Sequence, residues 1–77
     1  MSEFNVLANI KSLYPSLSEV EKKIADFILN QHESVIYMTV AQISKKIEVA
    51  DSSIIRFCQK LGFNGFTQLK INIAKNI

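Results

Sequence analysis

The 77-residue chain is long enough for one small domain, and its single cysteine, Cys58, excludes an internal disulfide. Abundant apolar residues and scarce glycine and proline exclude a disordered chain, so apolar packing must supply the stability. No apolar run approaches the roughly 18 residues that span a bilayer, and the N-terminus lacks a signal-peptide pattern. We therefore expect a cytoplasmic protein that enters no membrane.

The charge is distributed unevenly between the two halves of the chain. Residues 1–38 carry three lysines and five carboxylates, a net charge of −2. Residues 39–77 carry six basic and two acidic side chains, a net charge of +4. This asymmetry favours an anionic partner for the second half.

The first two predicted helices occupy the acidic half. Apolar residues recur at helical spacing, and no sustained alternation indicates a strand. The first helix is predicted over residues 5–13, because Pro15 disfavours helical geometry at Tyr14. Ser18 and Glu21 have capping-box spacing, which predicts a second helix over about residues 18–30. Its inward stripe is predicted to be Val20, Ile24, Phe27 and Ile28.

Residues 32–37 are predicted to add a short turn. His32 has no metal-binding neighbour in the sequence and is expected to lie at the surface of this turn.

Three further helices are predicted in the basic half. Thr39 and Gln42 repeat the capping-box spacing at the start of the third helix. A break at residues 48–50 separates it from a fourth helix over about residues 51–61, after which Gly62 can adopt a left-handed C-terminal cap. Asn64 is predicted to cap a last helix carrying Phe66, Leu69 and Ile73. The fold class is therefore an all-α bundle of about five helices.

Residues 42–57 carry the pattern of a helix-turn-helix unit, which we place at about residues 39–61. Two helices joined by about three residues must cross steeply, since the turn is too short for antiparallel packing. The spacing predicts a shared core of Ile43, Ile47, Val49, Ile54 and Phe57. In such a unit the second helix enters the DNA major groove.

The outward face of the fourth helix follows from its rotation of about 100° per residue. With Ile54, Phe57, Cys58 and Leu61 turned inward, base-reading candidates are Ser52, Ser53, Arg56 and Gln59. Arginine can bond guanine bidentately, glutamine can bond adenine, and serine can bond several base edges. Ile55, at the side of this face, can touch a thymine methyl group.

Phosphate contacts are predicted on both sides of that face. The lysine candidates are Lys45, Lys46 and Lys60, with Lys70 as a further one. Backbone N–H groups at the helix starts near Thr39 and Asp51 are also candidates. Two positions depart from the usual pattern: Ser44 replaces a small alanine, and Glu48 replaces the turn glycine at a cost of roughly 1 kcal/mol.

Other chemistry finds little support in the sequence. There is no phosphate-binding glycine loop, no nucleophile with a matching base and no metal cluster, so we expect neither an enzyme, a metal nor a cofactor. Cys58 is expected to be a small core residue rather than a redox sensor. Phe57, Phe63 and Phe66 are expected to pack in the core rather than to stack on bases.

The chain resembles, from Leu13 to about Lys75, the N-terminal domain of the RpiR family of bacterial transcription regulators. Residues 18–29 resemble that family's opening helix and residues 39–44 its first helix-turn-helix helix. Residues 53–66 (Ser-Ile-Ile-Arg-Phe-Cys-Gln-Lys-Leu-Gly-Phe-Asn-Gly-Phe) are similar to its recognition helix and following turn, and this is the most specific part. The family usually has serine after the turn valine, whereas this chain has Ala50, so Asp51 is expected to take over the cap.

The resemblance implies the function and partners of the whole regulator. Residues 1–77 would form its single N-terminal DNA-binding domain, a homeodomain-like three-helical core with extra N-terminal helices. The implied partners are double-stranded operator DNA and a second copy of the regulator in a homodimer. A phosphosugar effector would bind only to a C-terminal sugar isomerase (SIS) domain that these residues do not contain, and the regulated genes would serve carbohydrate metabolism.

Two alternatives remain open from the sequence. A helical interaction module can use the basic half to bind a protein or RNA, and it would give Arg56 no particular role. The apolar stripes of the N-terminal helices can also form part of a homodimer face rather than an internal core.

Overall fold

The computed structural model describes residues 5–75, and within this range the chain forms six α-helices, one 3-10 turn and no strand. The helices are α1 (Val6–Leu13), α2 (Glu19–Asn30), α3 (His32–Val35), α4 (Val40–Ile47), α5 (Asp51–Lys60) and α6 (Phe66–Lys75). The predicted all-α bundle is confirmed, with α3 formed where only a turn was expected. The two ends of the predicted domain, residues 1–77, lie outside the described residues.

Side chains cap the first two helices. Asn5 Oδ1 accepts hydrogen bonds from the N–H groups of Leu7 and Ala8, at 3.0 and 3.2 Å. At α2, Ser18 Oγ accepts from the Glu21 N–H at 3.2 Å, and Glu21 Oε1 accepts from the Ser18 N–H at 2.9 Å. Both partners of the predicted capping box are therefore in place.

The chain leaves α1 through the 3-10 turn Tyr14–Ser16. The helix ends at Leu13 as predicted, but Tyr14 keeps helical angles of φ −49° and ψ −46°, so the expected effect of Pro15 on Tyr14 was wrong. Pro15 lies at the start of the tighter turn, where its fixed φ fits and its missing N–H is not needed. The turn therefore accommodates the proline without an extended residue before it.

One apolar core connects all six helices. The helix α1 packs against α2 and α6, and α5 packs against α2, α4 and α6. The largest fully buried side chains are Val6, Ile10, Ile24, Ile28, Val35, Ile43, Ile54, Phe57, Cys58, Leu69 and Ile73. Most residues of the inward stripes of α1 and α2 contribute to this core.

One residue of the predicted α2 stripe is not in the core. Val20 is 43% exposed, whereas Leu17, just before the cap, is buried, as is Ala25 in the middle of the helix. The first turn of α2 lies beside the outer side of α5, where Val20 lines a groove with Ser53 and Arg56. Val20 was therefore wrongly assigned, because helical spacing alone does not show which part of a helix its neighbours cover.

Lys70 connects α6 to the segment before α4. Its ammonium donates a hydrogen bond to the carbonyl oxygen of Met38 at 3.2 Å and lies 5.0 Å from the centre of the Phe66 ring. Both contacts engage the Lys70 ammonium with groups of the protein itself. Lys70 therefore has partners within the fold that help to fix α6, and its phosphate contact stays a prediction.

Two polar residues also differ from expectation. Asn64 was expected to cap α6 with its side chain, but its backbone N–H instead donates to Gln68 Oε1 at 2.9 Å, because the helix begins one residue later than a cap at Asn64 requires. His32 is half-buried rather than at the surface, and its Nδ1 lies 3.4 Å from the Leu29 carbonyl oxygen. No helix within residues 5–75 is long and apolar enough to cross a membrane.

Candidate nucleic-acid interface

The helix α4 begins with the second capping box. Thr39 Oγ1 accepts from the Gln42 N–H at 3.1 Å, and Gln42 Oε1 accepts from the Thr39 N–H at 2.9 Å. The Thr39 N–H, predicted as a phosphate donor, is therefore already used by Gln42. Ile43 is buried on the inner side of the helix, while Lys45 and Lys46 are exposed in its last turn.

A tight turn joins α4 to α5. Glu48 has φ 61° and ψ 52°, the left-handed conformation that the sequence predicted at a cost of roughly 1 kcal/mol. The next N–H, of Val49, donates to the Ser44 carbonyl oxygen at 3.0 Å. Ser44 is only 9% exposed, and its hydroxyl donates to the Ala41 carbonyl oxygen at 3.1 Å. A small residue at this position therefore permits the close approach of the two helices.

The helix α5 begins without a side-chain cap. Ala50 occupies the N-cap position with φ −72° and ψ 147°, and no side chain bonds to the first turn. Asp51 was expected to take over this role, but it is the first helical residue, so its carboxylate lies past the cap position. That prediction was wrong. Asp51 remains an exposed acidic residue in the first turn, where the helix dipole favours it.

The inner side of α5 is apolar. Ile54, Phe57 and Cys58 are fully buried. Ile47 of α4 and Val49 of the turn between the two helices pack against the same core. Burial raises the pKa of the Cys58 thiol from 9.0 to about 11, so the thiol is neutral at physiological pH. A neutral, buried thiol is a poor nucleophile, in agreement with a core role.

The outer side of α5 presents polar groups. Ser52, Arg56 and Gln59 are exposed, as their rotation about the helix axis predicts. Ser53 and Ile55 are half-buried at the two sides of this face. After Asp51, α5 contains no carboxylate. The structure thus brings the four predicted base-reading residues onto one face of one helix.

Lys60 at the end of α5 has a partner that the sequence did not reveal. Its ammonium forms a salt bridge with Glu21 of α2, at 3.2 Å from Oε1 and 3.3 Å from Oε2. The hydrogen bond from the Ser18 N–H, and next the contact with Lys60, hold the pKa of Glu21 below its ordinary value. Lys60 therefore differs from Lys45 and Lys46, which form no salt bridge with any residue between positions 5 and 75.

Two neighbours of the candidate face, Val20 and Glu21, were missed by the sequence reasoning. Both line the groove that runs between the start of α2 and the Ser53–Arg56 side of α5. No local pattern reveals this approach, because Glu21 and Lys60 are 39 residues apart in the chain. Only the packing of α2 against α5 brings them together.

Comparison with known proteins identifies the kind of domain. A family described as the helix-turn-helix domain of the rpiR family matches residues 4–77. An HTH-type transcriptional regulator of Haemophilus influenzae is 41% identical over 70 residues, which are 91% of this chain and 24% of that protein. The chain thus spans about a quarter of the length of the curated relatives it matches.

Two solved structures share the fold. The N-terminal domain of the transcriptional regulator ybbH from Bacillus subtilis superposes with a TM-score of 0.86 at 38% identity, covering 94% of this chain and 88% of that one. The NanR protein of Vibrio vulnificus, complexed with ManNAc-6P, superposes with a TM-score of 0.90 at 21% identity, covering 94% of this chain and 27% of that one. Sequence and fold agree that the chain belongs to the rpiR family of helix-turn-helix domains, the DNA-binding domains of transcriptional regulators.

Proposed function

We propose that the chain binds double-stranded operator DNA sequence-specifically, with α5 lying in the major groove. The observation that supports this most directly is the outer side of α5, where Ser52, Arg56 and Gln59 are exposed opposite a fully buried stripe. A helix with one rigidly packed side can present the other side to base edges at fixed geometry.

Each residue has a role that follows from its hydrogen-bonding groups. Arg56 is proposed to bond a guanine, Gln59 an adenine, and Ser52 with Ser53 further base edges. Lys45 and Lys46, exposed at the end of α4, are proposed to contact phosphates. The backbone starts of α4 and α5, near Thr39 and Asp51, are proposed to meet phosphate oxygens through first-turn N–H groups other than that of Thr39.

We further propose the setting in which the domain acts. It works in the cytoplasm within a homodimeric regulator that reads two related half-sites. NanR, which shares this fold, is complexed with ManNAc-6P. This supports a phosphosugar effector that binds in a C-terminal SIS domain, outside these residues, and controls genes of carbohydrate metabolism.

A DNA titration tests the reading role of α5. Fluorescence anisotropy of duplexes from upstream of its own gene and neighbouring operons is measured at several salt concentrations, beside scrambled duplexes. We expect one preferred duplex, and Arg56→Ala to lose about 1–3 kcal/mol on that duplex and much less on scrambled DNA. Lys11→Ala, an exposed lysine of α1, is the matched control for loss of one positive charge and should change both affinities little.

The opposite outcome has a clear meaning. Equal binding to every duplex, unaffected by Arg56→Ala even in an artificially dimerised protein, would contradict groove reading by α5. Such indifference would favour the interaction module that binds protein or RNA through the basic half. Dimerisation is included because a single domain covers only one half-site and binds more weakly.

A further inference from the structure

An ion pair lies at one end of the candidate DNA-binding face of α5. The Lys60 ammonium, in the last turn of α5, contacts both carboxylate oxygens of Glu21, in the first turn of α2, at 3.2 and 3.3 Å. The Lys60 side chain is 41% exposed and that of Glu21 is 25% exposed. The pair therefore lies at the surface, within reach of a bound polyanion.

The carboxylate also lies next to the base-reading residues. Glu21 lines the same groove as Arg56 and Ser53, which lie about one and two turns before Lys60, respectively, on the same side of α5. A negative charge there neutralises Lys60 and so withholds its ammonium from the phosphates. This weakens binding to any sequence.

The fold does not require this negative charge. In the capping box of α2, Glu21 Oε1 accepts the Ser18 N–H at 2.9 Å; in that of α4, the neutral Gln42 Oε1 accepts the Thr39 N–H at the same distance. Glutamine can therefore provide the same hydrogen-bond acceptor at the cap as glutamate does. A surface ion pair also adds little to stability, because water and salt screen it.

We propose that Glu21 restrains the DNA affinity of the domain by holding Lys60 away from phosphate. Without this restraint, the lysines of the domain would bind DNA of any sequence more tightly. Base contacts from α5 therefore contribute a larger share of the difference in affinity between operator DNA and other DNA. Glu21 acts through Lys60 and does not itself contact DNA. This role rests on the DNA-binding function proposed above.

The variant Glu21→Gln separates the charge from the cap. It keeps the acceptor for the Ser18 N–H and releases Lys60 for one more phosphate contact. One such contact steepens the slope of log K against log salt by at most about 0.9, and because the competing ion pair is itself weak, the gain in affinity for a scrambled duplex near 0.1 M salt should be about two- to fivefold. Circular dichroism and the thermal midpoint verify that the variant keeps its fold.

Two further variants test the route of the effect. Glu19→Gln removes one exposed carboxylate from the same turn of α2, two residues away, without releasing a lysine, and should reproduce only a small part of the gain. Lys60→Ala in the Glu21→Gln background should abolish the gain and restore the original salt slope. The same Lys60→Ala change in the unmodified chain should leave the slope nearly unchanged.

Each other result overturns the proposal. An unchanged salt slope in folded Glu21→Gln, an equal gain from Glu19→Gln, or a gain that survives Lys60→Ala would each show that Glu21 does not act by restraining Lys60. Failure of the DNA-binding function itself is recognised separately, since the unmodified chain would then show no preferred duplex and no dependence on Arg56. In that case the proposal for Glu21 fails with it.

Discussion

The two helices of the helix-turn-helix unit, α4 and α5, begin in different ways. A reciprocal pair of hydrogen bonds between Thr39 and Gln42 closes the start of α4. The start of α5 has Ala50 at the cap and no side-chain hydrogen bond. The start of α4 is thus fixed by local bonds, whereas α5 depends on its buried side for its position.

The same two helices end in a common way. In each, an N–H donates to the carbonyl oxygen five residues earlier: Val49 to Ser44, and Phe63 to Cys58, both at 3.0 Å. The residue before each donor is left-handed, Glu48 with φ 61° and Gly62 with φ 99°. One backbone motif is therefore built once with glycine and once with a residue that is strained there.

The dependence of α5 on its buried side predicts a loss of stability at high pH. Because the pKa of Cys58 is raised from 9.0 to about 11 in the folded state, the unfolded chain releases this proton first. The stabilisation is complete below pH 9 and is lost as the pH rises to 11, up to about 2–3 kcal/mol. Urea unfolding followed by circular dichroism between pH 8 and 11 measures it.

The control for this loss is Cys58→Ala, which retains every other titrating group. Tyr14 remains in both proteins; its hydroxyl donates a hydrogen bond to Asp26 at 3.1 Å, which raises the pKa of Tyr14. The difference between the two pH profiles therefore isolates the thiol. Parallel profiles would show that burial of Cys58 does not cause the loss.

Exchanging the two kinds of helix start tests the comparison directly. Thr39→Ala removes the cap of α4 and should lower the free energy of unfolding by about 1 kcal/mol. Ala50→Ser supplies a cap to α5, at a backbone conformation suited to it, and should raise that free energy by about 1 kcal/mol. Urea unfolding at pH 7 measures both, and Thr67→Ala, an exposed position in α6, should change the value by less than about 0.5 kcal/mol. An unchanged free energy of unfolding in Ala50→Ser would mean that the start of α5 is not destabilised by the lack of a side-chain cap.

The features that the sequence predicted correctly depend on close neighbours in the chain. The capping boxes of Ser18 with Glu21 and of Thr39 with Gln42 span three residues, and their geometry follows from the helix start alone. The exposed side of α5, with Arg56 at its centre, follows from helical rotation once the apolar side is known. Both the fold class and the candidate face were therefore accessible from the sequence.

Local expectations failed at Tyr14, Asp51 and Asn64, but the missed contacts around the candidate face join distant parts of the chain. The pairing of Lys60 with Glu21 and the bond from Lys70 to the Met38 carbonyl join residues 39 and 32 positions apart. Val20 is exposed in a groove beside α5, an outcome that the pattern of α2 alone does not predict. Charge and periodicity indicate which side chains are candidates for DNA contact. Tertiary packing decides which of these side chains already form bonds within the protein.

The smallest expected effect concerns the shared helix end. Glu48→Gly would give α4 the same left-handed residue type that Gly62 gives α5. It relieves strain of about 1 kcal/mol, and the greater freedom of glycine in the unfolded chain offsets part of this, so the net gain should be about 0.5 kcal/mol. Glu48→Ala removes the same side chain but keeps the strain, and should be no more stable than the unmodified chain. Equal unfolding free energies for the glycine and alanine variants would mean that the turn stores no strain at Glu48, and that the two helix ends are energetically equivalent.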